Sequence, residues 1–432
     1  MTAIIKYGPQ TIQEPADLER ISRQIKAMEG NNGRIVIVTV PLRDTTDRLV
    51  ETLDAGNGRK GRQVFGAYEA LIQQLDDNRL TTNFESACRQ FDNMLLGGRS
   101  HNIDEILVAS GYELTAQVLN SYLVQSGINS TLVDHKHQNF PIRQKEERRK
   151  AVIDLEGSKE AAERIPMRDG VIVVPGYTVF NDGLARTLGR GGGDTASFIA
   201  AYAFGADVVW VIAEDALTTA PYGRARVVDE IDLDEAWAAG FFGASLRTPS
   251  SVEPLKTFLE THPNSQVYIA GMNGQRKTRI NPGAKKQTVR FIASRDVDTY
   301  GIRGEWRGVI SELYRNPTID WFTYGGIPGG LGIGVSERGR ELAKAIVNHA
   351  VDRKEIQITY QERVSYIGVV GSGMSDAKGI AKRAYSALRG INIQRTHDPN
   401  AGESHSTSIG IMLDPRYERQ AVESLHREFF NR

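Results

Sequence analysis

The chain has 432 residues, with 53 Lys and Arg balanced by 53 Asp and Glu, 40% hydrophobic residues and a single Cys88. Balanced charge excludes a phosphate-neutralising nucleic-acid binder, and one cysteine excludes a disulfide framework or a Cys-rich metal centre. No apolar run of about 18 residues offers a membrane span, and the first ten residues lack a secretory pattern, so a multi-domain cytoplasmic protein is expected.

Residues 3–7, 34–40, 129–133, 171–174, 207–212 and 266–270 are Val- and Ile-rich runs that read as buried strands. Between them, Leu18, Ile21, Ile25 and Met28 recur on one face of a helix over 15–28, and 103–124 and 195–204 have similar helical character. The charge run 145–150 reads as a solvated helix face. Strands alternating with helices predict a mostly parallel sheet covered on both faces. Residues 275–287, with Arg276, Lys277, Arg279, Lys285, Lys286 and Asn281-Pro282-Gly283, have no apolar period and read as a linker. A strand at 288–294 follows, and it suits either sheet.

A strand–helix–strand–strand–helix unit then occurs twice. The first copy places strands at 299–303, 319–324 and 331–335, with helices at 305–314 and 339–350. The second places strands at 363–370, 391–396 and 406–413, with helices at 376–388 and 417–429. Two such copies indicate an internal duplication of a small α+β module. The expected division is therefore 1–274, a linker at 275–287, and modules at 288–356 and 357–432.

Three loops carry candidate chemistry. Lys6-Tyr7-Gly8 ends the first strand, where a lysine beside a glycine amide suits a transferring phosphoryl group; an ordinary surface lysine is the plainer alternative. Leu188-Gly189-Arg190-Gly191-Gly192-Gly193-Asp194 precedes the 195–204 helix. Its glycines allow close backbone approach to an anion, the helix N-terminus adds free amides, Asp194 is the expected N-cap, and Arg190 suits a carboxylate or phosphate; a flexible glycine loop with a capping aspartate is the plainer alternative. In Thr39–Asp47 the hydroxyls and Arg43 suit a polar substrate, or Thr45, Thr46 or Asp47 simply caps a helix. His135-Lys136-His137 has ligand-like spacing but no evident acidic or Cys partner, and no metal site is expected. A Walker motif and a kinase H-R-D motif are both absent.

The order of these motifs resembles the aspartokinases of the amino-acid-kinase superfamily over nearly the whole chain. The Lys6 loop is similar to the family's K-F-G-G-T opening, residues 39–47 to its S-A-M-x-x-T-T-D segment, and 186–194 to its T-L-G-R-G-G-S-D signature. The duplicated modules resemble paired ACT domains. The resemblance implies an amino-acid-kinase sandwich with a mostly parallel central sheet, followed by two ferredoxin-like ACT modules. It further implies ATP- and Mg²⁺-dependent phosphorylation of the side-chain carboxylate of aspartate or a relative, in a specialised biosynthetic pathway.

On that resemblance Lys6, Gly8 and Asp194 are catalytic. Thr39, Thr45, Thr46, Glu113 and Arg190 bind substrate, and Gly191, Gly192, Glu214, Arg224 and Arg247 face the nucleotide. Partners are the amino-acid substrate, the nucleotide, an effector at the ACT pair and a second copy in a homodimer; no nucleic acid or membrane is involved. Departures are Pro9 and Gln10 after Gly8, Tyr112 where relatives carry the amine-binding glutamate, and Ser245 in place of a phosphate-contacting lysine. They leave open an alternative: a catalytically impaired kinase fold acting as an amino-acid-sensing or regulatory subunit.

Overall fold

The computed structural model describes residues 1–29, 33–42, 45, 48–49, 52, 61–96, 101–135, 137–147, 150–166, 170–181, 184–188, 191–244, 251–316, 319–325, 329–337, 339–397 and 407–430. They form two compact units, Met1–Asp215 with Ser250–Arg276, and Ala216–Pro249 with Lys277–Arg432.

In the first unit the elements run β1 (Thr2–Tyr7), α1 (Pro15–Glu29), β2 (Arg34–Thr39), α2 (Gly61–Val64), α3 (Gly66–Leu75), α4 (Asn78–Leu96), α5 (His101–Gln125), β3 (Ser130–Leu132), β4 (Gln144–Glu147) and β5 (Lys150–Ile153). They continue with α6 (Leu155–Glu163), β6 (Gly170–Pro175), β7 (Thr178–Asn181), β8 (Leu184–Thr187), α7 (Gly192–Phe204) and β9 (Val208–Ile212). The second unit then supplies β10 (Glu230–Ile231) and α8 (Leu233–Phe241), before α9 (Val252–Thr261) and β11 (Gln266–Ala270) return to the first.

The strands of the first unit stand in the order β11-β9-β1-β2-β6-β3, all parallel. Ile4, Ile5, Val36, Ile37, Val173 and Val174 are all buried, as β-branched runs are when helices cover both faces of a parallel sheet. Helix α7 packs on β1, β2 and β9, while α5 packs on β2, β3 and β6. Helices α6 and α9 close over α7, which explains why nearly every residue of α7 is buried.

The second unit continues with β12 (Lys277–Ile280), β13 (Phe291–Gly304), α10 (Arg307–Arg315), β14 (Trp321–Tyr324), β15 (Gly330–Ser336), α11 (Arg340–Asp352), β16 (Ile356–Val370), α12 (Ile380–Ala387), β17 (Ile393–His397), β18 (Ser408–Leu413) and α13 (Glu418–Phe430). Its antiparallel sheet has the order β14-β15-β13-β16-β18-β17, so each repeat contributes three strands and the copies meet where β13 pairs with β16. One face of the second copy buries Ile367, Val369 and Ile411 against Ala421, Val422 and Leu425 of α13. On the other, Phe242 at the end of α8 packs on Tyr366, and Gly368 leaves the space its ring occupies. Helix α8 is pinned by Glu235, which is fully buried. It accepts from Arg290 Nε (3.1 Å), the Ser372 amide (3.0 Å) and its own N-cap amide at Asp232 (3.2 Å). Burial, then the charge of Asp232, raises its pKa.

Several sequence expectations change. Of the charge run 145–150, Lys145–Glu147 and Lys150 lie in an antiparallel β4–β5 pairing rather than a helix, because a polar run without an apolar period carries no signal for either. The linker contains β12, whose Thr278 and Ile280 are buried and which pairs with β10. The strands expected at 288–294 and 299–303 are one continuous β13. Among the described residues no helix is long and apolar enough to cross a membrane.

Candidate active site

The site is built at the carboxyl end of β1, a central strand of the parallel sheet, where open α/β sheets place their ligands. Lys6 pairs in register with Val38 and Val211, which fixes its backbone from both sides. Its ammonium reaches Asp194 Oδ1 at 2.6 Å, with side-chain exposures of 5% and 1%. A lysine is rarely buried unless paired, so the surface-lysine alternative is excluded.

Asp194 is not the N-cap of α7. Gly191 is, at φ +71°, a left-handed backbone that glycine adopts without strain, and Asp194 is the third helical residue. Its side chain is thereby released from capping and turned to Lys6. The amides of Asp194 and Thr195 both donate to the Gly191 carbonyl, at 2.9 and 3.1 Å. Gly192 and Gly193, as in any first turn, have no intrahelical acceptors and suit an anion. Gly192 also serves packing: a Cβ there would fall 2.6 Å from Tyr177 Cδ2, and one at Gly193 would fall 2.6 Å from Val40 Cγ1.

The Gly8 amide, expected to hold phosphoryl oxygens, instead donates to the Ile212 carbonyl at 2.8 Å. Its glycine identity is steric, since a Cβ would stand 2.9 Å from that carbonyl oxygen. The following Pro9 has no N–H to offer. This corner of the site therefore lacks the backbone donors that the resemblance implies.

Thr39 is fully buried, with its hydroxyl 3.4 Å from the Tyr112 carbonyl. The Thr45 hydroxyl donates to the Leu42 carbonyl at 2.6 Å and serves the local turn. Tyr68, fully buried, ties this turn to α5 by accepting from the Leu42 amide (3.2 Å) and donating to the Gly111 carbonyl (2.8 Å). Arg43, Thr46, Asp47, Gly189, Arg190, Ser245 and Arg247 lie outside the described residues. Glu214 is exposed, and so is Arg224, which belongs to the second unit.

Residues 112 and 113 sit inside an unbroken α5 and point to different surroundings. Tyr112 stacks on Tyr177 with ring centroids 4.6 Å apart and planes 12° apart. Glu113 instead meets His135 Nδ1 at 2.9 Å and lines a groove of about 740 Å³ with Ser110, Gln117, Asp134, His135 and Pro175. Asp134 is the second carboxylate on that imidazole, at 3.2 Å. Burial alone lowers the pKa of His135, but its hydrogen bonds to Asp134 and Glu113 outweigh burial and push it up to about 9. Asp134, next to His135 in the chain, and Glu113 of α5 thus supply acidic partners that the sequence pattern alone does not identify. Among the described residues no group of three or more His, Cys, Asp or Glu is arranged to hold a metal.

Tyr177 was not singled out from the sequence. It has φ +82°, an uncommon conformation for a bulky residue that costs roughly 1–3 kcal/mol. The preceding Pro175-Gly176 was the available signal, a dipeptide that marks a tight turn.

Residues 1–262 match the amino acid kinase family, and residues 367–429 match an ACT domain. The chain is 24% identical over 455 residues to aspartate kinase of Pseudomonas putida, covering 98% of this chain and 96% of that protein. It is 25% identical over 287 residues to the bifunctional aspartokinase/homoserine dehydrogenase of Haemophilus influenzae, covering 61% of this chain but only 34% of that protein. The structure of E. coli aspartokinase III in complex with aspartate and ADP has the same fold, with a TM-score of 0.76 at 16% identity and full coverage of both chains. A kinase-family match across well over half the chain, followed by the ACT match, places this protein in the amino acid kinase family, among the aspartokinases with a C-terminal ACT domain.

Proposed function

We propose that the chain transfers the γ-phosphoryl group of ATP to the side-chain carboxylate of aspartate or a related amino acid, giving an acyl phosphate and ADP. The observation that carries this reading is the buried Lys6–Asp194 pair at the end of β1, beside the first turn of α7. An ammonium and a helix N-terminus are the donor set that an anionic phosphate chain requires, so the residues present fit the nucleotide. The acceptor carboxylate is already ionised at neutral pH, and catalysis then rests on positioning and charge stabilisation rather than on a strong base. Mg²⁺, bound with the nucleotide, would supply charge neutralisation on the phosphates.

In this reading Lys6 neutralises charge on the transferring group, Asp194 orients Lys6, Arg190 takes the α-carboxylate and Glu113 takes the α-ammonium. Glu214, Arg224 and Arg247 attend the nucleotide. The division into a catalytic region at 1–274 and two modules at 288–356 and 357–432 serves the same scheme, with an amino-acid effector at the modules of a homodimer in the cytoplasm. A hydroxylamine trap for acyl phosphate, run with ATP, Mg²⁺ and a panel of acidic amino acids, tests the reaction. Absence of both hydroxamate and ADP with every acceptor would sink it.

One observation favours a second reading, an impaired kinase fold that acts as a sensing or regulatory subunit: the Gly8 amide is already bonded to Ile212 and Pro9 adds none. Calorimetry separates the two, since this second reading requires amino-acid binding without nucleotide binding.

A further inference from the structure

The strained residue Tyr177 joins the parts of the site. Gly176, just before it, donates to the Thr39 carbonyl at 3.0 Å and has no space for a side chain, whose Cβ would stand 2.5 Å from that oxygen. The Tyr177 ring stacks on Tyr112 and also abuts Gly192, the first residue of α7. From there the contacts step along the helix: a Cβ on Gly193 would be 3.7 Å from Lys6 Cε, and Asp194 holds the Lys6 ammonium at 2.6 Å. The Tyr177 carbonyl accepts from Leu188 N at 2.8 Å, which clips the base of the β7–β8 hairpin immediately before the glycine loop. A bulky residue stays in the left-handed region only where its surroundings over-determine it, and such outliers cluster at functional sites.

We propose that Tyr177 is a positioning residue for phosphoryl transfer. Its ring, held between Tyr112 and Gly192, fixes the first turn of α7 and through it the Lys6–Asp194 pair. The chemistry rests on the kinase reading above, whereas the positioning itself does not. A displacement of about 1 Å at such a pair lowers turnover on the order of 100-fold, while a lost packing contact acts on stability alone.

Two substitutions separate these effects. Tyr177→Gly removes the ring and relieves the backbone, and Tyr177→Phe keeps the stack. Competitive amine labelling of the full-length folded protein, read by mass spectrometry, reports the accessibility of Lys6 without any turnover. Tyr177→Gly is expected to raise Lys6 labelling about five-fold relative to exposed Lys159, with Tyr177→Phe within about two-fold of the original protein. Phe91→Ala, which removes a fully buried ring from α4, controls for general loosening and is expected to leave Lys6 protected.

If Tyr177→Gly does not fold, Gly192→Ala, whose Cβ strikes the same ring, is expected to give the same rise. Unchanged labelling in the folded variant, or an equal rise in Phe91→Ala, overturns the proposal. In the kinase assay, Tyr177→Gly is expected to lose roughly 10- to 100-fold in kcat while KM for ATP stays within about three-fold. A lowered Tm with kcat intact also overturns it. If the unaltered protein turns over no acceptor, the kinase reading fails and the labelling still decides the positioning role.

Discussion

Replacing Lys6 by Met leaves the Asp194 carboxylate, 1% exposed, without its cation. At 2.6 Å the two charges attract by about 6 kcal/mol at an effective dielectric of 20, against a desolvation cost of several kcal/mol for each ion. The net value of the pair is therefore small, but breaking it from one side strands a buried charge and costs about 3–5 kcal/mol. For a domain of this size that lowers Tm by roughly 6–20 °C. Asp194→Asn is expected to destabilise in the same sense by a smaller amount, since the amide still accepts from Lys6. The double variant Lys6→Met with Asp194→Leu removes both charges and is expected to regain most of the lost stability. Activity behaves differently: every one of these variants loses the ammonium or its orientation, so none regains turnover. Denaturant unfolding combined with the hydroxamate assay measures both quantities. Additive losses in the double variant would show that the two side chains are not coupled, and turnover surviving in Lys6→Met would remove Lys6 from the chemistry.

The raised pKa of His135 makes stability pH-dependent. The imidazolium contribution is fully present below the unfolded value near 6.5 and is lost as pH rises through about 9, on the order of 3 kcal/mol at most and less for the solvent around Glu113. Unfolding free energies measured across that window are expected to fall, and His135→Gln to flatten the curve; a flat curve in the unaltered protein would contradict the pairing. Burial pushes the Cys88 thiol up to about 11, so a disulfide exchange reagent at pH 8 is expected to react slowly with the native chain and fast in denaturant. Equal rates in both conditions would refute its burial. Gly368→Val places a side chain where the Phe242 ring lies and is expected to cost about 1–3 kcal/mol, whereas Gly325→Ala, open on all sides, is expected to cost little.

The parallel strands and the repeated α+β units were legible because their signals are local: β-branched runs, helical periods and punctuating glycines lie next to one another in the chain. The β4–β5 pairing at the ends of the 145–150 run was not legible, since a mixed-charge run without an apolar period suits a strand and a helix face equally. The same locality explains why the sequence points to Asp194 as the N-cap. An aspartate before an apolar run is the usual cap, but Gly191 takes that place and frees the Asp194 carboxylate for Lys6 of β1.

By itself the sequence determined which residue types are available at the candidate site: a lysine at the end of a strand, a glycine loop and a helix behind it. Only the tertiary structure decided how they are used. It joined Lys6 to Asp194, bonded the Gly8 amide to Ile212, turned Glu113 to His135, and wedged Tyr177 between Tyr112 and Gly192. The physical reason is that a hydrogen-bonding group or a charge has many possible partners along the chain. Burial, which leaves room for one partner and penalises having none, selects among them only after the sheet and its helices have closed.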